Sequence, residues 1–246
     1  MPLLRGGRTL YGHALGVLML DTRFPRPRGD IGNATTWPFP VRYKIVKGAV
    51  PRRVVGEPDP DLLRPFIDAA RELADEGVRA ITTSCGFLAV FQRELAAAVP
   101  VPVVTSSLLQ VPLAAAAIGR QRRVAIMTSR DELTERHFNG VGWSSRDIPV
   151  VVKALPADGS FANVYSTKQP EDEQPVVDSG VLERELIGTA GELLAEHPDV
   201  GAVVMECANY VPYSQAVRRA TGLPVFDLYT LVMSTYEATT GTEFTS

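Results

Sequence analysis

Ala80-Ile81-Thr82-Thr83-Ser84-Cys85-Gly86-Phe87 decides how this chain is read, because it returns in altered form as Ala202-Val203-Val204-Met205-Glu206-Cys207-Ala208-Asn209. The sequence holds only two cysteines, one at the same point of each stretch. Cys85 and Cys207 lie 122 positions apart, as do Ala80 and Ala202, Phe91 and Tyr213, and Pro102 and Pro224. Upstream, Ile67, Ala70, Leu73 and Glu76 match Ile187, Ala190, Leu193 and Glu196 at an offset of 120. The two-residue slip fits the turn His197-Pro198-Asp199. Such self-similarity means a duplicated structural unit, so the two thiols are expected to be related by a pseudo-twofold.

Each copy alternates buried strands with helices. Apolar runs without alternation suit parallel strands covered on both faces. Strands are expected at 15–20, 41–46, 78–82 and 101–105, and again at 123–127, 150–155, 201–205 and 223–226. Helices are expected at 61–76, 86–98, 108–118, 131–138, 180–196, 213–220 and 228–238. The helix at 61–76 carries Leu63, Phe66, Ile67, Ala70 and Leu73 on one stripe. Two pseudosymmetric α/β domains follow, 1–118 with 226–246 and 119–225, with the active site in the cleft between them. Ligands of such sheets bind beyond the carboxyl ends of the strands, where both cysteines lie. The proline-rich stretch 22–60 and the polar stretch 158–175 are long enough to be functional loops. Arg23, Arg26 and Arg28 lie in the first; a solvated basic loop is the plainer expectation for any one of them. The second is read as a flap or a surface loop.

Composition narrows the function. The chain has 246 residues, 45% of them hydrophobic, with a formal net charge of -3. Neither a basic block nor an RNA-binding signature is present, so nucleic acid is not an expected partner. The apolar run Ala14 to Leu20 is far short of the ~20 residues of a membrane span, and Asp21 and Arg23 follow it rather than a cleavage site. A buried strand and a cytoplasmic location are expected, without membrane partners. Two cysteines in such a chain are not a disulfide framework. His13, His137 and His197 lack ligand spacing to them, so no metal is expected. A phosphate loop and a Gly-x-Ser-x-Gly elbow are both missing.

A thiol before a helix can have its pKa lowered from about 8.5 to roughly 3.5–7.5 by backbone N–H groups and the helix dipole. The same N–H groups can hold a carboxylate. With Cys85 and Cys207 across one cleft, one thiolate removes a Cα proton and the opposite thiol returns one. Thr83, Ser84, Thr128 and Ser129 offer hydroxyl donors for the developing enediolate. Asn209 offers an amide, and Asp21 could orient Cys85 or bind an amine. Glu206 is harder to place: beside Cys207 it opposes thiolate formation, unless it turns into a hydrogen-bonded network or holds a substrate ammonium. Tyr210 and Tyr213 read as packing residues, and His137 as a partly exposed helical residue.

Thr82-Thr83-Ser84-Cys85-Gly86-Phe87 and Glu206-Cys207-Ala208-Asn209-Tyr210-Val211-Pro212-Tyr213 resemble the paired cysteine motifs of the aspartate/glutamate/hydantoin racemase superfamily. The Thr128-Ser129 loop and the duplication fit as well. The resemblance implies cofactor-independent proton transfer by Cys85 and Cys207, a homodimer, and substrate binding by Gly86, Phe87, Ala208, Asn209, Thr128 and Ser129. Glutamate racemases usually carry Asn-Thr and Thr-His after the two cysteines; here Gly-Phe and Ala-Asn stand there, and Phe87 favours a less polar substrate. The expected activity is racemisation of an amino acid or derivative. The alternatives are a maleate-type isomerase or a decarboxylase of the same superfamily, and a carboxylate-binding protein with a redox thiol pair.

Overall fold

The structure is a computed structural model that describes residues 3, 6–55, 58–119, 121–165 and 175–241. These residues form two four-stranded sheets built alike. The first joins β1 (Leu15–Leu20), β2 (Val41–Val46), β3 (Ala80–Thr83) and β4 (Val103–Val104), in the order β2-β1-β3-β4. The second joins β5 (Arg123–Thr128), β6 (Val150–Ala154), β7 (Val200–Met205) and β8 (Val225–Phe226), in the order β6-β5-β7-β8. All six pairings are parallel. The repeat seen in the sequence is therefore a repeat of topology: β3 and β7, each followed by a cysteine, hold the same place in their sheets.

The helices are α1 (Pro51–Val54), α2 (Leu63–Asp75), α3 (Gln92–Ala98), α4 (Val111–Ile118), α5 (Glu135–Gly140), α6 (Ser160–Tyr165), α7 (Ser179–Glu196), α8 (Ser214–Thr221) and α9 (Leu228–Thr240). Every residue of β1, β3 and β7 is buried, as strands covered on both faces require. Phe66 and Leu73 of α2 and Leu95 of α3 pack with Leu18 and Ile81 on one face of the first sheet. Leu186 and Leu193 of α7 and Val217 of α8 do the same for Ala125 and Val203 of the second.

The opposite faces are covered crosswise. Leu228 and Val232 of α9, the last helix, pack on Leu15 and Val17 of the first sheet. Val111 and Ala114 of α4 pack on Val124, Ile126, Ala202 and Val204 of the second. Each half thus lends a helix to the other's core.

Two local differences from expectation bear on the site. The helix expected over 86–98 opens as a 3-10 helix, Gly86–Phe91, before α3, and a second 3-10 helix, Ala208–Tyr213, follows Cys207. Both begin on tight i to i+3 bonds, from Leu88 N to the Cys85 carbonyl at 3.2 Å and from Tyr210 N to the Cys207 carbonyl at 3.1 Å. The helix expected over 131–138 starts later, because a capping box at Thr134 and His137 sets the beginning of α5. Part of the polar stretch expected as a flap folds into α6, whereas 166–174 lie outside the described residues.

Candidate active site

Cys85 and Cys207 line one narrow pocket between the two sheets, with about 490 Å³ of free space partly open to solvent. Each cysteine is the extended residue that precedes its 3-10 helix. Ser84, Gly86, Phe87, Ser129 and Asn209, all expected from sequence, share the pocket wall. Thr22, Phe24 and Arg26 from the proline-rich loop, Tyr165 from α6, and Glu206 complete its polar and aromatic lining.

Four expected residues are placed otherwise. The Asp21 carboxylate accepts from Gly48 N at 3.3 Å and pairs with Lys47 at 3.7 Å, away from the pocket wall. Thr83 is buried, and its hydroxyl faces the carbonyls of Thr105 at 2.7 Å and Cys85 at 3.0 Å. It ties the end of β3 to the next strand instead of facing a ligand. Ala208 is buried in the core beside β1. Thr128 donates to Glu206 Oε2 at 2.9 Å and so serves the site through that carboxyl. Ser84 lines the wall but also accepts from Leu20 N at 2.9 Å.

Of the three loop arginines, Arg26 reaches the cleft. It donates to Asp30 at 2.8 Å and to Thr22 at 2.9 Å. Asp30 in turn accepts from Asn209 Nδ2 at 2.9 Å. A fully buried carboxylate therefore joins the first half's loop to Asn209, two residues after Cys207. Buried charges are stable only when paired and hydrogen-bonded in this way. The solvated-loop expectation fails for Arg26 because Asp30 and Thr22 hold its guanidinium at the pocket wall. Phe24 meets Tyr165 edge to face, with ring centroids 5.2 Å apart, and the Tyr165 hydroxyl donates to the Pro25 carbonyl at 3.2 Å.

Glu206 is the residue whose place sequence left open. It is 1% exposed. Oε2 has Thr128, whereas Oε1 is buried without a hydrogen-bond partner among the described residues. Burial pushes its carboxyl up to about 7. Glycine at position 86 is what lets it fit, because a Cβ there would lie 2.2 Å from Glu206 Oε1 and 2.3 Å from the Glu206 carbonyl oxygen.

The two thiols titrate opposite to expectation. Burial, and then the nearby Glu206 carboxylate, push Cys85 up to about 12, although the backbone N–H groups of Phe87 and Leu88 oppose the rise. The same two causes push Cys207 well above its ordinary value, against the opposing pull of Asn209 N–H and the Ser129 hydroxyl. Desolvation of a thiolate outweighs the favourable dipoles of a short 3-10 turn. Both sulfurs are therefore neutral near pH 7. Cys207 Sγ donates weakly to Asn209 Oδ1 at 3.9 Å. His137 is buried rather than partly exposed, with its ring edge-to-face on Phe87 at 5.1 Å. Tyr210 is a packing residue, edge-to-face on Phe161 at 4.7 Å. Among the described residues no group of three His, Cys, Asp or Glu could hold a metal ion, and no helix is long and apolar enough to cross a membrane.

No protein-family model matches the chain. It is 35% identical over 222 residues to a dimethylsulfoniopropionate lyase of Durusdinium sp. clade D, covering 87% of this chain and 71% of that protein. It is 31% identical over 229 residues to dimethylsulfoniopropionate lyase 7 of Emiliania huxleyi, covering 88% of this chain and 64% of that one. Among solved structures, allantoin racemase from Klebsiella pneumoniae superposes with a TM-score of 0.62 at 15% identity, over 92% of this chain and 86% of that one. The Gly74Cys mutant of arylmalonate decarboxylase gives 0.60 at 17% identity, over 94% and 95%. Glutamate racemase RacE1 of Bacillus anthracis gives 0.58 at 15% identity, over 93% and 83%. These proteins are enzymes, and the structural neighbours share the fold.

Proposed function

Because this chain belongs to the dimethylsulfoniopropionate lyase family, within the aspartate/glutamate/hydantoin racemase superfamily, we propose that it removes the proton next to a substrate carboxylate and eliminates dimethyl sulfide from dimethylsulfoniopropionate. The thiolate of one cysteine takes the Cα proton. The electron pair of that C–H bond becomes the Cα–Cβ double bond. The Cβ–S bond breaks, and its electrons leave on neutral dimethyl sulfide. Acrylate remains, and the proton on the cysteine passes to solvent.

The observation that carries this reading is the convergence of two repeat-related thiols on one narrow pocket. A base beside the carbon next to a carboxylate is what the reaction needs. The N–H groups that follow each cysteine support this reading, as donors for the carboxylate when negative charge builds on it. Racemisation begins with the same proton removal and differs in what the carbanion does next. Without a leaving group on Cβ, the opposite thiol returns the proton on the other face. The presence of that second thiol, which a one-base elimination does not consume, favours amino-acid racemisation as the second reading.

The test is incubation of the purified protein with dimethylsulfoniopropionate, with headspace gas chromatography for dimethyl sulfide and NMR for acrylate. Parallel tubes hold single-enantiomer amino acids, hydantoins and allantoin in D₂O. Sulfide and acrylate are expected in equal amounts, and replacing the cysteine that serves as the base, by Cys85→Ala or Cys207→Ala, is expected to cost at least ~10²-fold in initial rate. Cα exchange in an amino acid, with no sulfide released, would replace the lyase reading with the racemase.

A further inference from the structure

Glu206 is an ionisable group that the elimination just described does not use. Its Oε1 is buried, has no hydrogen-bond partner among the described residues, and belongs to a carboxyl on the pocket wall. Leaving a buried carboxylate oxygen unmatched is costly, and Gly86 is shaped around it. The cation on the same wall does not serve it, because Arg26 is engaged by Asp30 and Thr22. Thr128 satisfies one oxygen, and the other is left without a donor where it packs against Gly86 on the wall of the pocket.

We propose that Glu206 is the specificity-determining residue for a cationic substrate head, receiving an onium group on Oε1 so that the pocket selects zwitterionic carboxylates over plain ones. This rests on the lyase reading and names the half of the substrate that reading leaves unbound. An onium centre carries positive charge without N–H donors, so it meets a carboxyl through charge alone and needs no directed hydrogen bond. Phe24 and Tyr165, edge to face in the same pocket, add aromatic surface of the kind that attracts such cations. The pairing also addresses the neutral thiols. Burial raises both thiols most and the Glu206 carboxylate raises them further; a bound cation cancels that second contribution. The substrate that fits the site would thereby help to generate the base that attacks it, and plain carboxylates would not.

The experiment compares two ligands of one shape, 3-(trimethylammonio)propanoate and 4,4-dimethylpentanoate, which differ by a single charge. Isothermal titration gives the affinity of each for the wild type and for Glu206→Gln, a near-isosteric change that keeps an acceptor for Thr128. The wild type is expected to bind the cationic ligand about tenfold or more tightly than the neutral one, the scale of one charge-assisted contact. Glu206→Gln is expected to abolish or invert that preference. Because the ratio is taken within one protein, partial loss of folded material does not alter it. A wild type that binds neither ligand, or binds both equally, overturns the proposal, as does a ratio unchanged in Glu206→Gln. Release of dimethyl sulfide by the wild type is scored separately. If sulfide is made and the ratio does not move, this inference alone falls; if no sulfide is made, the lyase reading falls while the ratio still decides the role of Glu206.

Discussion

Gly86→Ala probes the contact on which the pocket is built. An alanine Cβ at this position would stand 2.3 Å from the backbone oxygen of Glu206, whereas ordinary contact begins at 3.4 Å. The shortfall is about 1 Å, and the other side cannot yield. Glu206 N is bonded to the Met127 carbonyl at 2.8 Å, and the Met205 carbonyl accepts from Ser107 at 2.6 Å. The movement therefore falls on residue 86 and carries Cys85 with it. Overpacking of this kind costs about 1–3 kcal/mol, and in a chain of this size each kcal/mol lowers Tm by about 2–4 °C. A thiol displaced by about 1 Å from its reacting carbon loses on the order of 10² in rate. Scanning calorimetry and initial rates of dimethyl sulfide release on the same preparation should show both losses together. If Gly86→Ala kept its Tm within about 1 °C and its rate within about twofold, the close packing of Gly86 on Glu206 would be wrong, and with it the placement of Cys85.

Other outcomes follow from the same site. With Cys85 pushed to about 12, only about 10⁻⁴ of it is ionised at pH 8, so iodoacetamide should label it on the order of 10³-fold more slowly than a free thiol; peptide mapping that finds both cysteines modified at free-thiol rates would contradict the burial argument. Glu206 rises from its ordinary 4.5 to about 7, so its contribution to stability is full below pH 4.5 and is lost as pH climbs through 7. Glu206→Gln cannot ionise, and its stability relative to wild type should gain about 2–3 kcal/mol between pH 5 and pH 8 in urea unfolding. A difference that stays flat across those two pH values would mean that the carboxyl is solvated. Asp21→Asn should leave sulfide release within about twofold, because among the described residues the Asp21 carboxylate pairs with Lys47 and Gly48 of a surface turn; a loss of 10²-fold would put its carboxylate in the cleft.

What sequence determined here was topology and the address of the thiols. Matching residues at offsets of 120 and 122 specify that one unit occurs twice, and unbroken apolar strands specify parallel sheets covered on both faces. Cys85 and Cys207 then had to emerge at equivalent strand ends, and the structure puts both on one pocket. The charge state of those thiols could not be read in this way. It depends on how deeply the two halves bury their shared wall, and on a carboxyl that comes from β7 to stand over Gly86 of the other half. The Asp30–Asn209 bond joins residues 179 positions apart, and α4 and α9 each cover the other half's sheet. A local pattern reports on neighbours along the chain, so it placed each thiol before a helical turn and expected a lowered pKa. Desolvation comes from the whole tertiary assembly, and here it wins. The same reason separates Arg26 from Arg23 and Arg28, and Asp21 from Glu206: each has a plausible sequence position, but only the packing of the two halves decides which side chain faces the pocket.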